Sequence, residues 1–134
     1  MQDLILCVDD DPITLMLSKM VIKKAAFANE IITAQNGEEA LNYFDELMLN
    51  NLGAEIKRYP QLILLDLNMP VMGGWEFLDH FSKNEYASVF KKCKVLVLSS
   101  TIDPEDIKKA KNYPMVLNFL SKPITKEMLE DLKT

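Results

Sequence analysis

The sequence has little of what marks secreted, membrane-spanning or nucleic-acid-binding proteins. It contains only 2 cysteines in 134 residues, too few for the disulfide framework of a small secreted domain. No apolar run approaches the roughly 20 residues of a membrane-spanning helix, and Asp3 interrupts the N-terminus, so no secretory signal is predicted. With 15 basic against 20 acidic side chains, direct binding of nucleic acid is not expected.

What is present fits one ordinary globular domain. Apolar residues make up 49% of the chain and charged residues 26%, which is typical of a protein that folds around its own core. A chain of this length fits a single domain over residues 1–134. Cys7 and Cys93 are expected to be reduced thiols in or near the core. We therefore expect a cytoplasmic protein that does not bind membranes and whose partners are other proteins.

Apolar runs alternate with segments of helical periodicity along the chain. Strands are predicted at about residues 3–8, 30–34, 61–66, 94–99 and 114–120. Between and after them, apolar side chains recur at the spacing of one helix face, and Asp11-Pro12 and Asp103-Pro104 are typical helix starts. Five strands alternating with five helices predict an α/β fold, a flavodoxin-like (βα)5 three-layer sandwich with a five-stranded parallel sheet in the order 2-1-3-4-5.

Helical features are also predicted at the end of the first helix, in the segment before the fourth strand and at the end of the chain. The periodic apolar positions of the first helix continue from Pro12 to about Phe27. The polar segment 82–94 is long for a connection, and an extra turn of helix around residues 87–90 fits within it. A final short helix is predicted over residues 125–133, with Thr125 at its start.

Polar side chains follow all but one of the predicted strands. Asp66 comes directly after the apolar run 62–65. The other strand ends carry Asp9 and Asp10, Ser99 and Ser100, and Lys122. In an open parallel sheet, ligands bind at the carboxyl ends of the strands. Because strands one and three are neighbours in the predicted order, Asp9, Asp10 and Asp66 are expected to form one site.

Three carboxylates at one site repel each other unless a cation is bound. Mg²⁺ fits because it takes a few oxygen ligands and keeps several waters, and the backbone carbonyl of Asn68 could add a ligand. With the metal present, Asp66 could act as a nucleophile on phosphorus. Lys122 and the metal would then neutralise the charge of the transferred group, and Ser99 could donate a hydrogen bond to it. The sequence therefore predicts a phosphoryl-accepting site.

Four segments together resemble the receiver domain of response regulators. They are residues 6–12 (LCVDDDP), 66–74 (DLNMPVMGG), 99–100 (SS) and 121–123 (SKP). The resemblance covers essentially the whole chain and implies a CheY-like, single-domain response regulator of a two-component system. It implies a signalling domain that catalyses only its own phosphorylation and dephosphorylation. It also implies a sensor histidine kinase or a histidine phosphotransfer protein as donor, and a downstream protein effector.

The resemblance also assigns roles to particular residues. Asp66 would be the phosphoacceptor, with Ser99 and Lys122 completing the catalytic set. The implied ligands of Mg²⁺ are Asp10, Asp66, the Asn68 carbonyl and, through water, Asp9. Ser99 would also be the switch hydroxyl and Phe119 the switch aromatic. The chain departs from compact family members by a longer segment before Asp66, which predicts an extended second helix and loop.

Other interpretations remain open at this point. Residues 9–11 could simply cap a helix, and Phe119 could be an ordinary core residue. A phosphatase of the haloacid-dehalogenase type would want an acid where Asn68 stands. A flavodoxin-like electron carrier would need a phosphate-binding loop in place of the three aspartates, and a degenerate receiver would serve only for docking. Since no effector domain follows Thr134, a receiver that acts by protein contact is expected.

Overall fold

A computed structural model describes residues 2–133, and strands alternate with helices throughout that range. The elements are β1 (Gln2–Val8), α1 (Pro12–Lys24), β2 (Ala28–Ala34), α2 (Gly37–Leu49), β3 (Leu62–Asp66), α3 (Gly74–Phe81), α4 (Asn84–Val89), β4 (Lys94–Ser99), α5 (Pro104–Ala110), β5 (Val116–Ser121) and α6 (Lys126–Lys133). The strands form one parallel sheet in the order β2-β1-β3-β4-β5. The predicted fold class and strand order are confirmed.

The central strands are buried on both faces, as a parallel sheet between two layers of helices requires. Side chains alternate between the faces along each strand. Ile63 and Leu65 of β3 belong to one apolar cluster, with Phe44 of α2 and Phe77 of α3. Leu62 and Leu64 belong to the other, with Ile22 of α1 and Leu129 of α6. This double burial explains why the third strand is continuously apolar up to its last residue.

The predicted helix starts at the two Asp-Pro pairs are confirmed. The Asp11 carboxylate accepts a hydrogen bond from the backbone N–H of Ile13 at 3.0 Å. Asp103 caps α5 in the same way. The Thr125 hydroxyl accepts from the N–H of Met128 just before α6. Each cap satisfies an N–H group that the first turn of a helix leaves without a partner.

The first helix ends earlier than predicted, at Lys24 rather than near Phe27. The N–H of Phe27 donates to the Ile22 carbonyl, and that of Ala26 donates to the Lys23 carbonyl. Ala26 between them has a φ of 49°. This is the Schellman arrangement, in which glycine usually occupies the left-handed position. With alanine there, the sequence carries no stop signal.

The structure has a sixth helix within residues 2–133, α4, in addition to the five that alternate with the strands. It lies in the polar segment 82–94, where the sequence leaves room for an extra turn of helix around residues 87–90, and it begins earlier, spanning Asn84–Val89. Phe90 is nevertheless buried, with its ring 4.7 Å from that of Phe44, and the Tyr86 hydroxyl donates to the Asp45 carboxylate on α2. These contacts hold α4 against the domain.

Among the helices of residues 2–133, none is both long and apolar enough to cross a bilayer.

Candidate functional site

The acidic side chains at the ends of β1 and β3 meet at the carboxyl edge of the sheet. The two strands are neighbours, with Val8 paired to Leu65, so the next residue along each chain, Asp9 or Asp66, lies at the same edge. One carboxylate oxygen from each of Asp9, Asp10 and Asp66 lies within 4.8 Å of the others. The structure thus brings together the three acids that the sequence placed at one site.

Lys122 lies between two of these acids. Its Nζ is 2.6 Å from Oδ2 of Asp9 and 3.1 Å from Oδ1 of Asp66. The position is set at the end of β5, where the N–H of Lys122 donates to the Ser99 carbonyl at 2.8 Å. The sequence led us to expect contact between Lys122 and a transferred group, but it did not reveal the ion pair with Asp9. One ammonium therefore compensates two carboxylates whose side chains are only 7% and 8% exposed.

Burial and charge act in opposite directions on the acid and the base of this ion pair. Burial raises the pKa of Asp66, and the Asp9 charge adds to the rise, while Lys122 and the Asn68 N–H oppose it. Burial lowers the pKa of Lys122, but its hydrogen bonds to Asp9 and Asp66 outweigh this and leave the pKa raised. Lys122 is thus a fixed cation at neutral pH. Asp66 is a more basic carboxylate than one in water, which favours a nucleophile.

The three aspartates of residues 9–11 lie in different surroundings. Asp11 caps α1, and its carboxylate also accepts a hydrogen bond from the Thr14 hydroxyl at 3.0 Å. Asp9 is buried and accepts from the Asp11 N–H at 3.0 Å. Asp10 is exposed. Of the three aspartates in this run, Asp9 and Asp10 belong to the acidic cluster with Asp66, and Asp11 does not.

The remaining predicted residues lie at different distances from the acids along the sheet. Asn68 is exposed, and its backbone N–H lies close enough to the Asp66 carboxylate to lower the pKa of that group. Ser99 is 2% exposed at the end of β4, and its Oγ accepts from the Thr101 N–H at 3.3 Å. Phe119 pairs with Val97 in the interior of β5 and packs, half-buried, against the apolar cluster of α2 and α3. Phe119 therefore lies two residues before the end of β5, whereas Lys122, which contacts the acids, comes directly after that end.

Comparison with known proteins decides the family. The family model described as the response regulator receiver domain matches residues 5–133. The chain belongs to this family. It is therefore a receiver domain of the two-component type, rather than the phosphatase or the electron carrier that the sequence left open.

Two solved structures resemble this receiver domain over almost its whole length. A two-component response regulator from Cytophaga hutchinsonii is 33% identical, with a TM-score of 0.87 over 98% of this chain and 94% of that one. The chemotaxis response regulator CheY4 of Vibrio cholerae is 26% identical, with a TM-score of 0.74 over 99% of this chain and 97% of that one. Both support the strand order described above.

Sequence relatives of the receiver domain are longer proteins. The probable methanogenesis regulatory protein FilR2 of Methanothrix harundinacea is 29% identical over 97% of this chain, which spans 76% of that protein. The probable C4-dicarboxylate response regulator DctR of Halalkalibacterium halodurans is 28% identical over 94% of this chain, which spans 47% of it. The nitrate/nitrite response regulator protein NarL of Escherichia coli K12 is 31% identical over 77% of this chain, which spans 40% of it.

The loop after Asp66 is held by close backbone contacts that the sequence did not reveal. A Cβ on Gly74, the first residue of α3, would lie 2.6 Å from the Asp66 carbonyl oxygen. The N–H of Gly37 donates to the Met72 carbonyl at 2.8 Å, so the loop is also fixed to the start of α2. Val71, which comes directly before Met72 in this loop, has a φ of 70°, an uncommon conformation for a β-branched residue. The pair of glycines at 73–74 is the available signal, but it indicates only a loop.

Neither cysteine is placed for chemistry in the receiver domain. Burial raises the pKa of both Cys7 and Cys93 to about 12, so each thiol stays protonated and unreactive. Both belong to the apolar core, as the sequence predicted.

His80 is exposed on α3 and lies outside the acidic cluster, which contains only Asp9, Asp10 and Asp66 among the described residues.

Proposed function

We propose that this receiver domain accepts a phosphoryl group on Asp66. The donor would be the phosphohistidine of a sensor histidine kinase or of a histidine phosphotransfer protein. The observation that carries the proposal is the placement of the Asp66 carboxylate, which lies at the tip of a central strand, beside one fixed cation and two further acids. Like charges held close together raise one another's pKa and cost stability, so a purely structural role does not account for this cluster.

The transfer itself needs little covalent chemistry from the protein. A carboxylate oxygen of Asp66 forms a bond to phosphorus as the phosphorus–nitrogen bond of the donor breaks. The electron pair of that bond stays on the imidazole, which leaves as neutral histidine after taking a proton. The main requirements are alignment and neutralisation of charge on the phosphoryl oxygens. Lys122 is already 3.1 Å from Asp66 and would turn to those oxygens with a small movement.

The donor set fits Mg²⁺. Three carboxylates with oxygens within 4.8 Å of one another are hard ligands, and the exposure of Asp10 leaves room for the waters that Mg²⁺ keeps. Asp10, Asp66 and the Asn68 carbonyl would bind the ion directly, and Asp9 through water. Once bound, Mg²⁺ would neutralise part of the negative charge that builds up on the phosphoryl group.

The acceptor is tested by chemical labelling. With Mg²⁺ and acetyl phosphate, the wild type should gain one acid-stable, base-labile phosphoryl group, measured by intact mass, and Asp66→Asn should gain none. Asp106→Asn makes the same chemical change in the first turn of α5 and should label like the wild type. Labelling of Asp66→Asn to the wild-type level would exclude Asp66 as the acceptor.

A second prediction concerns the metal. Asp10→Asn should weaken Mg²⁺ binding by about tenfold or more, because one ligand charge is lost from a small cluster of acids. Calorimetric titration of Mg²⁺ and the Mg²⁺ dependence of the labelling rate would both measure this. Asp11→Asn is the control, since asparagine also caps helices and Asp11 is not part of the cluster. Equal Mg²⁺ affinity in wild type and Asp10→Asn would contradict the proposed site.

We propose further that Ser99 and Phe119 transmit the signal to a protein effector. Phosphorylation adds about −1.5 to −2 charges, and the new oxygens would attract the Ser99 hydroxyl, which now accepts from Thr101 at 3.3 Å. Movement of that loop would open space toward β5, where the half-buried Phe119 can move inward. The surface of α5, β5 and α6 is the element that would change.

The coupling predicts a difference between accepting phosphate and responding to it. Ser99→Ala should still be labelled, but phosphorylation should shift the amide signals around Phe119 far less than in the wild type. The neighbouring Ser100→Ala, at an exposed residue, is the control and should respond fully. The measurement is an amide correlation spectrum before and after phosphorylation. A full response in Ser99→Ala would exclude this route and leave the acceptor assignment standing.

A further inference from the structure

A second concave site lies at the end of the sheet opposite the acceptor. It is a cleft of about 970 Å³, bounded by the amino ends of β1, β3 and β4, by the long segment 51–61, and by residues in and after α4. Leu62 lies on its wall, and Asp66 is four residues further along β3. At about 3.3 Å per residue, the two sites are separated by roughly 13 Å of strand. A ligand in the cleft would therefore not contact the acceptor.

The cleft is cationic although the whole chain carries a net charge of −5. Arg58 on its wall is already paired, at 2.7 Å from Asp3 and 2.9 Å from Glu30. The acids left on the wall are Glu55 and Glu85. Against them stand four exposed lysines that form no ion pair among the described residues, namely Lys57, Lys91, Lys92 and Lys94. Such a concentration of one charge in a concave site attracts ions of the opposite sign.

The same cleft is also lined by exposed apolar side chains. Leu52 is 78% exposed, Leu117 53% and Val89 38%, and all three line the cavity. Tyr59 also lines the cleft, half-buried, with its ring 5.2 Å from that of Phe90. Small-molecule sites combine apolar walls with a few charged groups in cavities of about 300–1,000 Å³. The volume and the lining of this cleft both fall within that description.

We propose that this cleft binds a small polyanion that also carries an apolar or aromatic portion. At least two phosphate or carboxylate groups would contact the unpaired lysines, which bind phosphate as point charges. The flat or apolar part of the molecule would cover Leu52, Val89 and Leu117. The three-sided enclosure favours a small molecule, because a protein partner needs a broader surface of about 800 Å². The site would make the receiver domain responsive to a second, soluble ligand that is independent of the phosphoryl donor.

The test is an amide NMR titration of the unphosphorylated chain in metal-free buffer, with pyrophosphate and with a nucleoside triphosphate as probes. Both should give saturable shifts in residues 51–58 and 91–94, with tighter binding of the triphosphate. The triple variant Lys91→Gln, Lys92→Gln, Lys94→Gln should bind at least about tenfold more weakly. The control is the triple variant Lys23→Gln, Lys24→Gln, Lys108→Gln, which removes the same charge from exposed helical positions and should bind within about twofold of wild type.

Three outcomes would overturn the proposal. They are the absence of saturable shifts at millimolar probe, equal weakening in the two triple variants, and binding of a poly-glutamate peptide in the cleft with no binding of either small probe. Acetyl phosphate labelling of the Lys91, Lys92 and Lys94 variant is measured in parallel. It should proceed as in wild type, so a failure at the cleft is distinguishable from a failure at Asp66.

Discussion

Lys122→Ala should lower the free energy of unfolding of the metal-free protein by about 3 kcal/mol or more. The substitution leaves Asp9 and Asp66 facing each other with 7% and 8% of their side chains exposed and with no cation between them. Removing one partner from a buried ion pair costs far more than the pair contributes, because the remaining charges are neither hydrated nor compensated. Urea unfolding at pH 7 measures the loss.

Two further measurements distinguish uncompensated charge on Asp9 and Asp66 from a simple loss of packing. Adding Asp9→Asn to Lys122→Ala should recover a large part of the stability, since the repulsion is removed. Mg²⁺ should also stabilise Lys122→Ala by binding only the folded state. Lys108→Ala, at an exposed residue on α5, is the control and should change stability by less than about 0.5 kcal/mol. If Lys122→Ala lowered the free energy of unfolding by no more than the control does, the ion pairs of Lys122 would not compensate the buried acids.

The pH dependence of this deficit follows from the raised pKa of Asp66. A carboxyl group with a raised pKa in the folded state destabilises the fold only when it is ionised. Its cost is absent below the unfolded pKa and grows as the pH rises through the folded pKa. Without Lys122, which opposes the rise, the pKa of Asp66 should be higher still. The stability gap between wild type and Lys122→Ala should therefore close as the pH falls toward 4.

Gly74→Ala should destabilise the protein by about 2–3 kcal/mol, although alanine normally favours a helix by about 1 kcal/mol over glycine. The added Cβ would lie 2.6 Å from the Asp66 carbonyl oxygen and 2.9 Å from the Cα of Leu67. Both are backbone atoms, so the strand end itself must move. Because the side chain of Asp66, the proposed acceptor, moves with it, the rate of labelling by acetyl phosphate should also fall, by about tenfold or more.

Gly73→Ala provides the graded comparison. Its Cβ would lie 3.1 Å from the Leu67 carbonyl oxygen, a contact that a small adjustment relieves. We expect a smaller loss of stability there and little change in labelling. Thermal unfolding and labelling rates of both variants give the comparison. If Gly74→Ala were as stable as wild type and labelled at the same rate, the close approach of α3 to Asp66 would have no functional consequence.

The proximity of the three acids could be predicted from the sequence, because a parallel sheet places the carboxyl ends of its strands at one edge. Asp9, Asp10 and Asp66 needed only the strand order to become neighbours. The partner of Lys122 could not be predicted, because it depends on the path of a long side chain across two strands. The close approach of Gly74 to the Asp66 backbone could not be predicted either, since a glycine pair after a strand indicates a loop but not which backbone lies against it.

The fold was predictable where periodicity and caps agree, and it was not predictable where tertiary contacts override composition. The Asp-Pro pairs located two helix starts correctly. The segment that forms α4 is polar, and its helix depends on Phe90 and Tyr86 packing against distant residues. The end of α1 depends on a left-handed alanine, a conformation that alanine adopts only when its surroundings impose it.

The burial of Cys7 and Cys93 has a practical consequence for spectroscopy. A thiol with a pKa of about 12 presents almost no thiolate at neutral pH, and maleimides and iodoacetamides react with the thiolate. A cysteine introduced at an exposed residue such as His80 would therefore take the label while both native thiols remain untouched. Spin labels or fluorophores can be attached at one or two chosen positions in the otherwise native sequence, and a pair of labels then reports distances across the sheet before and after treatment with acetyl phosphate.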